Sequence, residues 1–147
     1  MSSDAAAFPH SVASFDPTSE GVLLWTQADT QATVDWVVAR DEDLGDVVAS
    51  GTADVPGDGG GTVAVDVDGL EPATTYWYRF SAGDERSRIG RTRTLPAPDA
   101  TVGSIRVAMV SCANLARAPL AAARAVAEVD DVDLVFHAGD YIYEDDG

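Results

Sequence analysis

Residues 70–80 read LEPATTYWYRF, and this stretch decides the fold of the first part of the chain. Tyr76, Tyr78 and Phe80 fall on one side of an extended chain, with Trp77 and Arg79 on the other. Alternation with a period of two is typical of a half-buried β-strand. The pattern therefore predicts a strand that begins near Tyr76 and follows a tight turn.

The turn at residues 70–73 leads directly into that strand, as in the tyrosine corner of immunoglobulin-like and fibronectin type III-like domains. An ordinary hairpin with a buried tyrosine is the alternative. Further short strands are predicted at residues 22–25, 33–38, 62–67 and 89–94, with a glycine-rich turn at 57–61. Several short strands at this spacing predict an all-β sandwich of the fibronectin III/immunoglobulin-like type over residues 1–97.

The proline-containing stretch LPAPD at residues 95–99 marks the end of the sandwich, and we place the linker at residues 98–104. The sequence pattern changes after this linker. Two apolar runs, 105–110 and 132–136, flank an alanine-rich segment from Pro119 to Val129. Strand, helix and strand over this length predict a βαβ unit with parallel strands buried on both faces. One such unit cannot cover its own faces. We therefore expect residues 105–147 to be an incomplete, truncated α/β segment.

The charge balance excludes some partners. Acidic residues number 25 and basic residues 9, for a net charge of −16, and every basic residue is arginine. Such a surface repels polyanions, so we expect no nucleic acid and no membrane as partners. A halophilic source, in which salt screens the self-repulsion, and an acidic mesophilic protein both remain open. The first residues, MSSDAAAFPHS, have no signal-peptide pattern, so the localisation stays unknown.

Two predicted strand ends carry the candidate chemistry. Cys112 follows the first apolar run and Asp140 the second, and ligands gather at the carboxyl ends of parallel strands. Gly139 permits a sharp turn before Asp140, and Tyr143 faces the same way if the loop makes one helical turn. Thiolate, carboxylate and phenolate form an anionic ligand set, which bound cations stabilise, with iron conceivable.

Each of these residues also has a structural explanation. Asp140 can cap a loop, Cys112 can be a buried thiol, and Tyr143 can be a packing aromatic. We expect His137 to be a core strand residue with a hydrogen-bonded ring, and its role as a ligand is the alternative. Asn114 and Glu144 are weaker candidates to contact ligands or substrate, and the acidic surface continues at Asp145 and Asp146.

The stretches HSVASFDPTSEGVLLWTQ, GLEPATTYWYRF, IGRTRTLP, SCANLARAPLAAARAVAE and DLVFHAGDYIYE occur in the order seen in PhoD-like alkaline phosphatases, which the chain resembles over essentially its whole length. The resemblance implies a fibronectin-like N-terminal domain followed by the start of a calcineurin-like metallophosphoesterase domain. It implies hydrolysis of phosphate monoesters and diesters with iron and calcium as cofactors. It also implies that Cys112 and Tyr143 ligate iron and that Asp140 is shared between metals.

The implied mechanism is hydrolysis by a metal-activated hydroxide, without a covalent protein nucleophile and with no catalytic side chain assigned. The chain departs from the family pattern at Phe15, where glycine is usual, at Gln27 and at Ala138. The later Asn, Asp and His ligands of the fold, and the export signal common in the family, lie outside this sequence. We therefore expect the chain alone to be inactive and to need the missing remainder of the catalytic domain. The alternatives are a non-catalytic β-sandwich binding module and an inactive gene fragment.

Overall fold

In the computed structural model, the described residues are 7–29, 33–57, 60–112, 121–129 and 131–140. The chain divides into two compact units, Met1–Ala100 and Thr101–Gly147. The first unit contains eight described strands, which are β1 Val12–Phe15, β2 Gly21–Gln27, β3 Thr33–Ala39, β4 Val47–Asp54, β5 Thr62–Asp68, β6 Thr75–Ala82, β7 Glu85–Arg86 and β8 Gly90–Arg93. The predicted last strand, 89–94, is thus one residue shorter at each end.

These strands form two antiparallel sheets. The first has the order β1-β2-β5, and the second has the order β4-β3-β6, with β7 and β8 both paired to β6. Residues that alternate inward form the core, which includes Leu24, Val34, Val38, Tyr76 and Phe80, all fully buried. The predicted sandwich and the predicted alternation in β6 are confirmed.

The corner between β5 and β6 is held by the buried Tyr76 hydroxyl. Its oxygen accepts a hydrogen bond from the backbone N–H of Glu71 at 2.9 Å. Buried Thr94 completes the corner, because its Oγ1 donates to the Glu71 carbonyl at 2.6 Å and accepts from the Thr74 N–H at 3.0 Å. A tyrosine that bonds the backbone a few residues upstream is the arrangement of a tyrosine corner, so the predicted motif is confirmed over the ordinary hairpin.

Two aromatic side chains in the second sheet, the buried Tyr78 and the partly buried Trp36, lie over glycines on neighbouring strands. Trp36 pairs with Gly51, and Tyr78 pairs with Gly90. A Cβ atom added to Gly51 would lie 2.7 Å from Trp36 Cζ2, and one added to Gly90 would lie 2.3 Å from Tyr78 Cζ. Only a residue without a side chain leaves room for these rings.

Phe15 ends β1 opposite Leu23, and its side chain is 47% exposed. The chain turns at the next residue, Asp16, which takes the left-handed region with φ 44°. Asp tolerates this region better than most residues. The turn therefore forms with a large aromatic at position 15, because the positive φ falls on Asp16.

The second unit contains β9 Val107–Val110, α1 Ala121–Ala127 and β10 Leu134–His137. The two strands pair in parallel, with Val107 opposite Leu134 and Val110 opposite His137. The predicted parallel βαβ order is confirmed, although each strand begins two residues later than predicted. The described helix begins at Ala121, and Pro119 lies outside the described residues. No helix within the described ranges is long and apolar enough to cross a membrane.

The expectation that these parallel strands are buried on both faces is wrong for this chain. Val107, Met109, Val135 and Phe136 are 49%, 73%, 51% and 51% exposed. The described part of the unit supplies two strands and one seven-residue helix with no buried residue. A sheet of two strands with so little covering structure has too few neighbours to remove its apolar side chains from water.

Candidate metal centre

The parallel pairing of β9 and β10 brings two chemistry-bearing loops to one edge of the sheet. Beyond the last paired residues, the N–H of Ala138 donates to the carbonyl of Val110 at 2.8 Å. The N–H of Cys112 then donates to the carbonyl of Gly139 at 3.2 Å. The ladder thus continues two residues past each strand and ties the Cys112 loop to the Asp140 loop.

The backbone turns sharply at both loops. Cys112 has φ 60° and Asp140 has φ 51°, in the left-handed region that residues with a side chain seldom adopt. Gly139 has φ 111°, which is a conformation for glycine, as the sequence indicated. Strained residues of this kind cluster at functional sites, where the surrounding structure holds them in place.

The two turns point the side chains of Cys112 and Asp140 at each other. The Cys112 thiol donates a hydrogen bond to Asp140 Oδ2, with a sulfur–oxygen distance of 3.6 Å. Both residues are exposed. The expectation that the two lie side by side, 28 positions apart in sequence, is confirmed. The alternative of a buried thiol at Cys112 is wrong, because the strand end is open to solvent.

His137 ends β10 and lies beside this turn. Its ring Nδ1 accepts a hydrogen bond from the N–H of Gly139 at 3.3 Å, and its side chain is half-buried. The ring is thus hydrogen-bonded, as predicted, but His137 is half-buried at a strand end and not in a core. Gly139 thus forms two hydrogen bonds, one with Cys112 and one with His137. Neither could be predicted from the sequence, because both arise from the backbone geometry of the turn and not from residue types.

The other candidate residues, Tyr143, Asn114, Glu144, Asp145 and Asp146, lie outside the described residues. Among the residues that the structure describes, no group of three or more His, Cys, Asp or Glu side chains could hold a metal ion. A thiol sulfur and a carboxylate oxygen at contact distance do fit one part of a metal site, since both become anionic ligands when deprotonated. Further ligands are required to complete such a site.

A separate groove of about 430 Å³ lies in the sandwich, at the loops that follow β2 and precede β5. Its walls are formed largely by Gly, Ala and Pro, with Gln27 and Asp29 as the polar side chains. The Gln27 amide donates to the carbonyl of Gly60. None of the described residues that line this groove has an aromatic side chain.

Comparison with known proteins assigns the family. The family described as "PhoD-like phosphatase, N-terminal domain" matches residues 1–96. Alkaline phosphatase D of Bacillus subtilis (strain 168) is 41% identical over 148 residues, which covers 93% of this chain and 25% of that protein. A solved structure of PhoD superimposes with a TM-score of 0.90 and 38% identity, covering 97% of this chain and 29% of that one.

The chain therefore spans a quarter to a third of the length of the relatives that it matches. The match extends through both compact units, because it covers nearly all of the chain in sequence and in structure. The resemblance read from the sequence is confirmed. With its two antiparallel sheets, its tyrosine corner and this similarity, the chain belongs to the family of PhoD-like phosphatases.

Proposed function

We propose that the chain is the N-terminal portion of a metal-dependent phosphatase that hydrolyses phosphate monoesters or diesters. In this proposal residues 1–97 are a supporting sandwich, 98–104 a linker, and 105–147 the opening of the catalytic domain. Cys112, Asp140 and Tyr143 contribute ligands to its metals. The observation that carries the proposal is the contact between the Cys112 thiol and Asp140 at the carboxyl ends of two parallel strands.

The position of this pair supports a catalytic role. Carboxyl ends of parallel strands form the edge where α/β proteins bind ligands. The positive φ angles of Cys112 and Asp140 place both side chains at that edge, and both are accessible from solvent. A loop-capping carboxylate needs no thiol partner, so the shared placement favours a binding role for both residues.

The donor set suits metals of mixed character. A thiolate selects transition metals such as iron, and a carboxylate suits harder ions such as calcium and can bridge two of them. When bound, such ions polarise phosphoryl oxygens and lower the pKa of water. The chain's own contribution is to hold the sulfur and the carboxylate together through the Cys112–Gly139 backbone hydrogen bond.

The exposed strands of the second unit favour this proposal over a sandwich with an incidental tail. An incidental tail has no reason to form a parallel strand pair in register, with apolar side chains at Met109 and Phe136. Those side chains are more than half exposed here. They are suited to packing inside a larger α/β domain. The relatives are long enough to contain such a domain, since this chain covers 25% of the length of alkaline phosphatase D.

The test uses a chain extended to the length of its relatives and measures bound iron and calcium together with hydrolysis of p-nitrophenyl phosphate. We expect Cys112→Ser and Asp140→Asn each to lower bound iron to less than half and to lower kcat by on the order of 100-fold or more. Ser111→Ala is the matched control, because Ser111 is exposed beside Cys112, and we expect it to change neither. Full iron content in Cys112→Ser would overturn the assignment.

The 147-residue chain supplies the complementary measurement. We expect no metal-dependent hydrolysis of p-nitrophenyl phosphate. Three side chains, Cys112, Asp140 and Tyr143, are too few ligands for a site that holds several metal ions. Turnover by the 147-residue chain that is abolished by a chelator would contradict this part of the proposal.

A further inference from the structure

The two outer faces of the sandwich differ in charge. On β6 the residues that point away from the core include Trp77 and Arg79. Trp77 pairs with Ala39 on one side and with Arg91 on the other, and Arg79 pairs with Val37. Paired residues of antiparallel strands share a face. We call the solvent-accessible members of this set, Val37, Trp77, Arg79 and Arg91, the basic face, and Ala39 beneath them is fully buried. Arg86 and Arg93 lie on the same side through their pairing with Ser81 and Thr75.

The opposite outer surface carries acid around an apolar centre. Phe15 pairs with Leu23, and Leu23 pairs with Asp66, in one row across β1, β2 and β5. Trp25 lies in the next row, and Asp68 lies two residues beyond Asp66 on the same side. We call Phe15, Leu23, Trp25, Asp66 and Asp68 the acidic face. Strands β1, β2 and β5 contain no Lys or Arg.

The arginines at the centre of the basic face have no acidic partner in the described part of the chain. Arg40 and Arg106 form ion pairs there, whereas Arg79 and Arg91 form none. The outward carboxylate Asp35 on this face accepts a hydrogen bond from Thr52 Oγ1 at 2.8 Å. The two arginines lie beside the partly buried Trp77 and form no ion pair with a carboxylate among the described residues. This is unexpected in a chain of net charge −16, where carboxylates are in large excess. Trp and Arg are the residues enriched at protein interfaces.

We propose that the basic face binds the acidic face of a second copy of this chain. Each face has a tryptophan and an aliphatic side chain at its centre, with arginines beside them on the basic face and aspartates beside them on the acidic face. Apolar burial and charge pairing therefore both favour the contact. The contact is heterologous, because each copy uses a different face from its partner. Every copy in a dimer therefore keeps one face open, and association continues beyond the dimer unless a ring closes.

The size of the faces sets the expected strength. Three strands of about seven residues cover roughly 23 Å by 10–15 Å. Such a footprint lies at the small end of protein interfaces, where association is weak and transient. At about 0.15 M salt the Debye length is about 8 Å, so the repulsion between two acidic domains is largely screened while contacts within an ion-pair distance persist. We expect dissociation constants on the order of micromolar or weaker.

The test reverses the charges of each face in turn and follows self-association of the 147-residue chain by sedimentation velocity over a concentration series. We expect the average mass to rise with concentration past the dimer. Arg79→Asp/Arg91→Asp makes both faces acidic, and Asp66→Arg/Asp68→Arg makes both faces basic. Each variant alone should lose at least 10-fold in association, and an equimolar mixture should recover it. Both variants keep a net negative charge, so general attraction does not explain recovery.

The matched control adds Glu42→Arg/Asp43→Arg to the Arg79→Asp/Arg91→Asp variant. It makes the same charge change as Asp66→Arg/Asp68→Arg, but on the exposed loop between β3 and β4, and it leaves no basic face. Mixed with Arg79→Asp/Arg91→Asp it should not associate. Should a reversal variant not fold, Arg79→Gln/Arg91→Gln and Asp66→Asn/Asp68→Asn should each still reduce association. A chain that stays monomeric throughout, as expected if the β8 arginines only protect a sheet edge, would overturn the proposal. So would equal association with the loop variant.

Discussion

The hydroxyl of Tyr76 accepts a hydrogen bond from the backbone N–H of Glu71 at 2.9 Å, and this bond closes the corner between β5 and β6. Thr94 ties the same corner to the end of β8 through the carbonyl of Glu71. The backbone N–H and the backbone carbonyl of Glu71 are thus both hydrogen-bonded to side chains. The corner links the two sheets, since β5 belongs to one and β6 to the other.

Removing that hydroxyl tests the corner. We expect Tyr76→Phe to lower the free energy of unfolding by about 1–3 kcal/mol, because the Glu71 N–H loses its partner while the buried ring remains. Urea unfolding measures the change, and amide exchange locates it at Glu71. Tyr78→Phe removes a hydroxyl from the neighbouring core tyrosine and should leave exchange at Glu71 unchanged. Equal protection of Glu71 in Tyr76→Phe would contradict this role.

The ring of Tyr78 over Gly90 gives a steric prediction. We expect Gly90→Ala to destabilise the sandwich by about 1–3 kcal/mol, since the added methyl group would overlap the ring and must displace strand β8 or the ring. Thermal unfolding measures it. Gly57→Ala is the matched control, because a Cβ atom there meets nothing within 4 Å. If Gly90→Ala left the stability unchanged, the Tyr78 ring would have to adopt another conformation that accommodates the methyl group, and the steric prediction would be wrong.

Alkaline pH provides a test of the same tyrosine. Burial raises the pKa of Tyr78 to about 12, while a side-chain hydrogen bond with Ser14 opposes the rise. In the unfolded chain the tyrosine ionises near its ordinary pKa of 10.0, whereas in the folded chain it stays protonated at that pH. The free energy of unfolding is therefore highest below pH 10.0 and falls as the pH rises toward about 12. We expect Tyr78→Phe to flatten the decline of unfolding free energy in this window. An unchanged slope would place the alkaline sensitivity elsewhere.

The loop after β3 gives an acid-side prediction. Backbone N–H groups of Gly45 and Asp46 donate to the Asp41 carboxylate and hold its pKa below the ordinary value of 3.8. A lowered pKa means that the stabilisation of the loop is present above pH 3.8 and is lost as the pH falls through the folded-state pKa. We expect faster amide exchange at Gly45 and Asp46 below that pH, after correction for intrinsic rates. Asp41→Asn should remove this pH dependence, and persistence of it would contradict the assignment.

The sandwich could be predicted wherever side chains of clear character alternate, as at Val63, Val65 and Val67 in β5. Strand β4 gave no such signal. It reads VVASGTAD, it pairs with β3 alone among the described strands, and its side chains are small or exposed. An edge strand of this kind is held by its neighbour's hydrogen bonds and by the Trp36 ring over Gly51, which local sequence does not reveal.

The candidate site was predictable in part. The spacing of two apolar runs predicted that Cys112 and Asp140 meet at parallel strand ends, and the structure agrees. The exposure of Met109 and Phe136 was not foreseen, because apolar runs report what a strand packs against in its whole domain. The left-handed backbone at Cys112 also leaves no trace in sequence, since cysteine has no preference for it.

The measurement that tests the central claim most directly is X-ray absorption at the iron edge of a chain extended to the length of its relatives. We expect a sulfur scatterer in the first coordination shell, lost in Cys112→Ser and retained in Ser111→Ala. An iron site without sulfur in the unmodified protein, or one with the same sulfur signal in Cys112→Ser, would contradict the assignment of Cys112 and Asp140 as a metal-binding pair.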